Sequence, residues 1–421
     1  MNIHRIRRIA TALTLVGGAS AIVAAGTPAA SAAISAVTTT STTMITTTSA
    51  APSPSTTIGP RYAVRSVESG WDHTCALRYD GTVACWGAGS YGRMGTGRLT
   101  NQTTAVTIPG LTGVTQLAAG AQHTCALTWA REVFCWGRND RGQLGDGTTT
   151  NRATPVKLAL SGVTLLAVGN HHGCAASGSA LRCWGANESG QLGTNDLRDR
   201  LTPVLVGLAG GDFVTLGAFN SSTCGQITTG LTSCAGANQA MWGNGSLAGS
   251  PSFTAVPALS ANTARTVIDG STHRCHAETT TGQVRCVGSN GNGGLGDGTN
   301  LTRTTPVSPA GTYSTATAGF ANASCGFERV LRQYRCWGSN GSGQLGDGTT
   351  TNRSTPVSVK GLPAMTQTTG SITIGRTHTC ATYDAGAYAP DRVYCWGTGA
   401  AGQLGNGTTG TSTTPVQVQG I

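Results

Sequence analysis

The chain has 421 residues, 62 of them Gly, and only 10% are charged; this suits a β-rich protein with many turns, because Gly supplies turn conformations without steric cost. The formal charge of +10 falls to +7 once Arg5, Arg7 and Arg8 near the start are set aside, and no basic run of five or more follows. Charge spread so thinly is not the one-faced basic footprint of a nucleic-acid binder, so no nucleic acid is expected among the partners and only a mild bias towards acidic ones remains.

Residues 1–32 read as a secretory signal peptide. His4, Arg5, Arg7 and Arg8 make a positive start, Ile9 to Ala25 is apolar or small, and Ala30-Ser31-Ala32 fits a cleavage site before Ala33. The apolar stretch is at the short edge for a bilayer span, so no membrane span is expected after cleavage. Residues 33–60 are Thr, Ser, Ala and Pro with almost no charge. Such a segment buries too little apolar surface to offset ordering entropy and reads as a linker.

From residue 61 to 421 one sentence recurs seven times. A Cys opens an alternating strand, a turn follows, and a second Cys opens a Cys-Trp-Gly step. A glycine-rich loop then leads to Thr-Pro-Val. The first cysteines fall at 75, 125, 174, 224, 275, 325 and 380, a period near 50. Each copy supplies four short strand-like runs; in the second they are Val114–Ala118, His123–Leu127, Val133–Trp136 and Pro155–Leu158. Four strands per 50-residue repeat predict the blades of an all-β, seven-bladed propeller. The first hairpin has no Thr-Pro-Val strand before it, and Thr414-Pro415-Val416 has no hairpin after it. The expectation is therefore a ring closed by pairing the C-terminal strand with the N-terminal hairpin.

All 14 cysteines lie in the repeats, two per copy, which points to disulfides in an oxidising compartment. Spacing selects the partners. Cys75 and Cys85 flank a three-residue turn, Cys174 and Cys183 a two-residue turn, Cys275 and Cys286 a four-residue turn. Every length change falls in the turn and leaves the two cysteines directly opposite, within bridging range. The same holds for Cys125 with Cys135, Cys224 with Cys234, Cys325 with Cys336 and Cys380 with Cys395. A zinc site is not expected, since two ligands per blade cannot make four and no Cys-x-x-Cys occurs.

Four residues after the second Cys every copy has Gly or Asn: Gly89, Asn139, Asn187, Asn238, Asn290, Asn340 and Gly399. Both tolerate positive φ, so a left-handed backbone is expected there. The Gly-Gln-Leu-Gly run that follows lacks the Lys and helix pattern of a phosphate loop. Asp146, Asp297 and Asp347 offer one carboxylate per blade, too few for calcium, and read as Asx turns. No cofactor is expected.

His123 to Leu127, then Cys-Trp-Gly, then Asn-x-x-Gly-Gln-Leu-Gly with Thr-Pro-Val, resembles the regulator of chromosome condensation repeat, in a cysteine-paired form. The copies at Cys125, Cys174, Cys325 and Cys380 match well, and the resemblance covers about 62–421. It implies a seven-bladed propeller. The family's best-known member exchanges guanine nucleotides on a nuclear GTPase and docks on chromatin; secreted bacterial members include β-lactamase inhibitor proteins that bind through rim loops. The paired cysteines depart from those inhibitors. Kelch propellers share the period, but their paired glycines are missing here.

His73, His123, His172, His273 and His378 share one repeat position. One blade width apart, they are too far from each other for a shared metal and read as hydrogen-bonding strand residues. Trp86, Trp136, Trp184, Trp337 and Trp396 read as blade packing. Function is expected where the repeat breaks. In the fourth copy Trp becomes Ala235 and the glycine run becomes Met241-Trp242-Gly243-Asn244; the seventh hairpin is stretched, with Tyr383, Tyr388 and Arg392 near its tip; Tyr91, Arg138 and Arg141 vary in the loops after Cys-Trp-Gly. Aromatic and Arg side chains are the usual interface anchors. The expected protein is a secreted, extracellular, monomeric scaffold without catalysis, at the cell wall or free, that binds a protein or cell-surface polymer. The rival readings are an extracellular enzyme acting on carbohydrate or peptidoglycan, and a guanine-nucleotide exchange factor.

Overall fold

The computed structural model describes residues 64–207, 210–257, 267–277, 283–362, 370–383 and 392–421; the expected leader and linker lie outside these residues. The chain folds as seven four-stranded antiparallel sheets, one per repeat, arranged as the blades of a propeller. In blade 1 the inner strand is Val64–Ser69, the second His73–Arg78, the third Val83–Gly87 and the outer Gln102–Thr107. A short helical turn follows the third strand of blade 1 at Ser90–Gly92.

The second strands show why the repeats need one another. His-Thr-Cys-Ala-Leu is buried along its whole length in blades 1 and 2, because a neighbouring blade covers each face of the sheet. Polarity returns in the outer strands. Pro155 sits in one of these, Arg152–Lys157, at a sheet edge where a missing N–H breaks no ladder.

In every blade the two cysteines are direct partners across the second and third strands, and all seven pairs are disulfides. Their Cα atoms are 4.0 to 4.1 Å apart, the close approach of non-hydrogen-bonded antiparallel neighbours. The turn arithmetic holds where it is described. Gly81 takes φ 78° in the three-residue turn of blade 1, and Ser177 faces Ala180 across the two-residue turn of blade 3.

Two expectations need correction. The ring does not close by strand exchange: the outer strand Ser412–Gln417 pairs with Arg392–Gly397 in its own blade. Blade 1 is complete with Gln102–Thr107, a strand hidden in the sequence because Thr-Ala-Val replaces Thr-Pro-Val. The ends meet by packing and hydrogen bonds instead. Thr373 Oγ1 accepts from the Ser69 N–H at 3.0 Å, Arg78 donates to the Gly420 carbonyl at 3.2 Å, and the Ala105 N–H to the Gln419 carbonyl at 3.0 Å.

The second correction concerns the shared Asn or Gly. None of the seven is left-handed. Asn139 is fully buried, and its side chain holds the loop: Nδ2 donates to the Thr148 and Thr150 carbonyls at 3.0 and 3.1 Å, and Oδ1 accepts from the Leu144 N–H at 2.9 Å. In blades 1 and 7 the loop closes down instead; a Cβ on Gly89 or Gly399 would lie 2.0 Å from a backbone oxygen.

The blades are keyed by tryptophan. Each Cys-Trp-Gly indole donates to a carbonyl in the glycine-rich loop of the preceding blade: Trp136 to Arg93, Trp184 to Gln143, Trp337 to Gly294, Trp396 to Gln344, and Trp86 across the seam to Gln403, at 2.8 to 3.0 Å. Blades 4 and 5 lack this tryptophan and are repaired. Phe253 takes the ring's seat beside Gly193, while Thr223 donates to the Gln191 carbonyl at 2.8 Å. In blade 5 the buried Arg274 reaches the Met241 carbonyl at 3.4 Å.

Candidate functional site

At one end of the ring the inner strands turn into the second strands, and the glycine-rich loops emerge. The turns are joined by backbone bonds from blade to blade: Arg376 N–H to the Trp71 carbonyl at 3.0 Å, Trp71 to Ala121 at 2.9 Å, Ala121 to Asn170 and Asn170 to Asn220 at 3.2 Å. This makes a rigid collar around the mouth of the axial channel.

Side chains on the collar form one connected array. Asp72 pairs with Arg376 at 3.0 Å and lies 3.9 Å from Arg93. The Arg376 guanidinium sits 5.5 Å from the centre of the Trp71 ring, and Trp71 meets His171 edge-on at 6.1 Å, two blades away. Tyr91 lies between Arg93 and Arg138, 5.6 and 5.3 Å from its ring centre. Tyr91 holds φ 63°, an unfavourable left-handed conformation for a bulky residue. Arg138 continues to Asp140 at 2.6 Å and Gln122 at 2.7 Å, and Arg141 bridges Asp199 and Glu188 at 2.7 and 2.6 Å. Burial opposes the charge on Asp140, but hydrogen bonds from Arg138 and Gln143 outweigh it and hold the carboxyl below its usual range. Burial lowers His171, so its ring is neutral at pH 7.

Of the residues singled out from sequence, Tyr91, Arg138 and Arg141 are thus brought to one face. Tyr383 and Arg392 face each other at the opposite end of their strands, where Tyr383 packs edge-on against Tyr394. Tyr388 lies outside the described residues. Met241 and Trp242 are not at a surface: each is 2% exposed. The fourth loop is one residue shorter, so Trp242 falls at the buried Leu144 position, its N–H bonded to Asn238 Oδ1 at 2.9 Å. Trp71, Arg93 and Arg376 were missed. One signal for Trp71 exists: with Trp129 and Trp242 it is among the tryptophans that do not follow a cysteine.

The recurring histidines are all fully buried. Each of four reaches a hydroxyl one blade on: His73 to Thr124 at 2.9 Å, His172 to Thr223 at 2.9 Å, His273 to Ser324 at 2.6 Å, and His378 to Thr74 at 2.8 Å. Thr223 and Ser324 spend their own proton on loop carbonyls, so His172 and His273 donate from Nε2. His123 has no such partner because blade 3 carries Gly173 there. Asp146, Asp297 and Asp347 form the expected Asx turns, accepting from the Thr148, Thr299 and Thr349 N–H groups at 3.0 Å. Their second oxygens pair with Arg152, Arg303 and Arg353.

Residues 80–127, 132–176, 336–382 and 390–421 match the family model described as Regulator of chromosome condensation (RCC1) repeat, and 64–93 and 114–143 match a second model of the same description. The matches pass over 177–335, where Ala235 and Val287 replace tryptophan. No curated protein matches the chain. Among solved structures, yeast RCC1 (Prp20) bound to Kap60 is similar with a TM-score of 0.67 at 18% identity, over 86% of this chain and 86% of that one. Prp20p from Saccharomyces cerevisiae gives 0.67 at 19%, over 86% and 88%. Human WBSCR16 gives 0.62 at 17%, over 74% and 84%.

Proposed function

Because the chain belongs to the regulator of chromosome condensation repeat family, whose blades here form a rigid collar, we propose that it is an extracellular, non-catalytic binding scaffold. It engages a protein or cell-surface polymer through the collar face. The observation that carries this reading is the array of Trp71, Tyr91, Arg138 and Arg376, joined by stacking and ion pairs over the buried Arg93 on a fixed backbone. Trp, Tyr and Arg are the residues that dominate interface energetics, and a pre-ordered face loses little entropy on binding. Its charges are largely compensated, which suits a mixed-charge partner better than a polyanion. Prp20p, which binds Gsp1p and histones, is a precedent for partner binding by this fold and does not supply the partner. Seven disulfides suit an oxidising, extracellular setting.

The test is affinity capture of secreted proteins and wall fragments on the immobilised chain from Ala33 to Ile421. A reduced, unfolded sample is the control. Trp71→Ala and Arg138→Ala each weaken capture by about tenfold or more, as expected of interface anchors. Trp129→Ala, at the opposite end and 76% exposed, leaves it unchanged. Capture lost with Trp129→Ala and kept with Trp71→Ala would place the partner on the wrong end for this reading. Turnover of a polysaccharide would overturn it.

A further inference from the structure

In every blade the turn between the second and third strands emerges at the end of the ring opposite the collar. Such turns are ordinarily built of small and polar residues. Of the five that lie within the described residues, the turn of blade 3, Gly178-Ser179, keeps to this rule. Those of blades 1, 2 and 6 hold bulky apolar side chains out in solvent: Tyr79 is 68% exposed, Trp129 76%, Val330 76% and Leu331 53%. Blade 4 adds Leu231 at 38%. These prongs stand on fixed backbone. The Gly81 N–H donates to the Arg78 carbonyl at 3.0 Å, the Trp129 N–H to the Gly113 carbonyl at 2.9 Å and the Arg329 N–H to the Thr312 carbonyl at 3.1 Å.

Cations accompany the prongs. Arg65, Arg131 and Arg329 are exposed at this end and make no ion pair among the described residues. Arg332 stands in the same turn as Val330. The acidic groups here are fewer, and most are engaged. Asp80 accepts from the Thr82 N–H and hydroxyl at 2.8 and 2.7 Å, Glu132 pairs with Lys157 at 2.7 Å and Glu328 with Arg335 at 2.9 Å, which leaves Asp212 unpaired. At the collar, by contrast, Arg138, Arg141 and Arg376 are all paired with carboxylates.

We propose that this end of the ring is a docking surface for an anionic lipid bilayer. The apolar prongs sit on separate blades, so they do not form the contiguous patch that a protein partner covers. A nucleic acid would use the arginines and leave the prongs in water. A bilayer interface is fluid and accepts prongs one by one; Trp and Tyr are favoured there, and unpaired arginines meet the anionic headgroups. The ring docks without crossing the membrane, and the collar, at its other end, stays open for the partner proposed above. Each arginine near an anionic surface is worth about fivefold in affinity, and the attraction fades as salt screens it.

Sedimentation of the full mature chain, disulfides intact, with lipid vesicles tests this. One set is phosphatidylcholine alone, the other phosphatidylcholine with phosphatidylglycerol at three to one. The expected result is binding to the anionic vesicles about tenfold tighter or more than to the neutral ones, largely lost at about 1 M salt, where the screening length falls to about 3 Å. Trp129→Ala, and Val330→Ser combined with Leu331→Ser, each weaken binding about fivefold or more. Arg131→Gln combined with Arg329→Gln weakens it about tenfold or more. Leu301→Ser removes a residue that is 63% exposed in a loop at the collar end and leaves binding unchanged. Should Trp129→Ala not fold, fluorescence decides: lipids brominated in the acyl chain quench the tryptophan emission of the wild type and not that of Trp129→Phe. Binding to neither vesicle, equal binding to both, binding indifferent to Trp129, or an equal loss from Leu301→Ser would each overturn the proposal. The vesicles hold neither protein nor wall polymer, so membrane docking and partner binding at the collar stand or fall separately.

Discussion

A buried histidine that reaches a hydroxyl one blade on is neutral for as long as the ring is folded. Burial holds His73 well below its ordinary range and lowers His123 and His172 to about 3 and His273 and His378 to about 4. In the unfolded chain these rings titrate near 6.5. Below that pH the unfolded state takes up protons that the folded state refuses. Stability is therefore whole above about pH 6.5 and falls below it, by up to about 1.4 kcal/mol per pH unit for each histidine, until the folded values are passed. Urea midpoints measured from pH 7 to pH 5 should drop, and His378→Gln should make the slope shallower. A flat profile would contradict the assignment. The role of these residues was legible in sequence from their single repeat position. That of Asn139 and its equivalents was not. Asn and Gly share a tolerance of positive φ, but here Asn is chosen for a buried amide that bonds the loop and Gly for the absence of a Cβ. One-letter preference cannot separate two causes that select the same pair of residues.

At the scale of the hairpin, spacing carried the information. Cysteine separations of 9, 10 and 11 vary only through the turn, and period-two geometry then fixes the partner. Each bridge closes a short loop and contributes about 2–3 kcal/mol at best. Replacing Cys174 and Cys183 by alanine should lower unfolding stability by about that amount in chemical denaturation, without changing the fold. A loss near zero would mean that packing between blades already restrains the hairpin. The outer strand of blade 1 was illegible for the complementary reason. Its expected marker, Thr-Pro-Val, reflects what an edge strand tolerates, and Gln102–Thr107 forms the same edge with Ala105 in place of proline. The paired Trp71 and Arg376 were hidden differently. They lie 305 residues apart and meet only because the ring brings its last blade beside its first.

For the whole molecule, the seam between blades 7 and 1 is the place where covalent continuity is missing. Val418 is buried in the cluster that spans it, and the Gly420 carbonyl receives Arg78. Deleting residues 418–421 removes a buried valine and these bonds, and should cost about 2–5 kcal/mol. Hydrogen exchange should show lost protection concentrated in the first and last blades; uniform loss would mean that the seam is no weaker than the other joints. The indole-to-loop contact gives five of the seven joints a direction. In those blades the tryptophan is read by the loop behind it, so the unit that must be inherited intact is the joint and not the repeat. Within blade 4 a tryptophan restored at Ala235 would meet a seat already filled by Phe253 from the outer strand of the same blade. Recombination or shuffling of this gene should therefore succeed at cuts that keep a tryptophan with the loop it contacts, and fail at cuts through the more conspicuous fifty-residue boundaries.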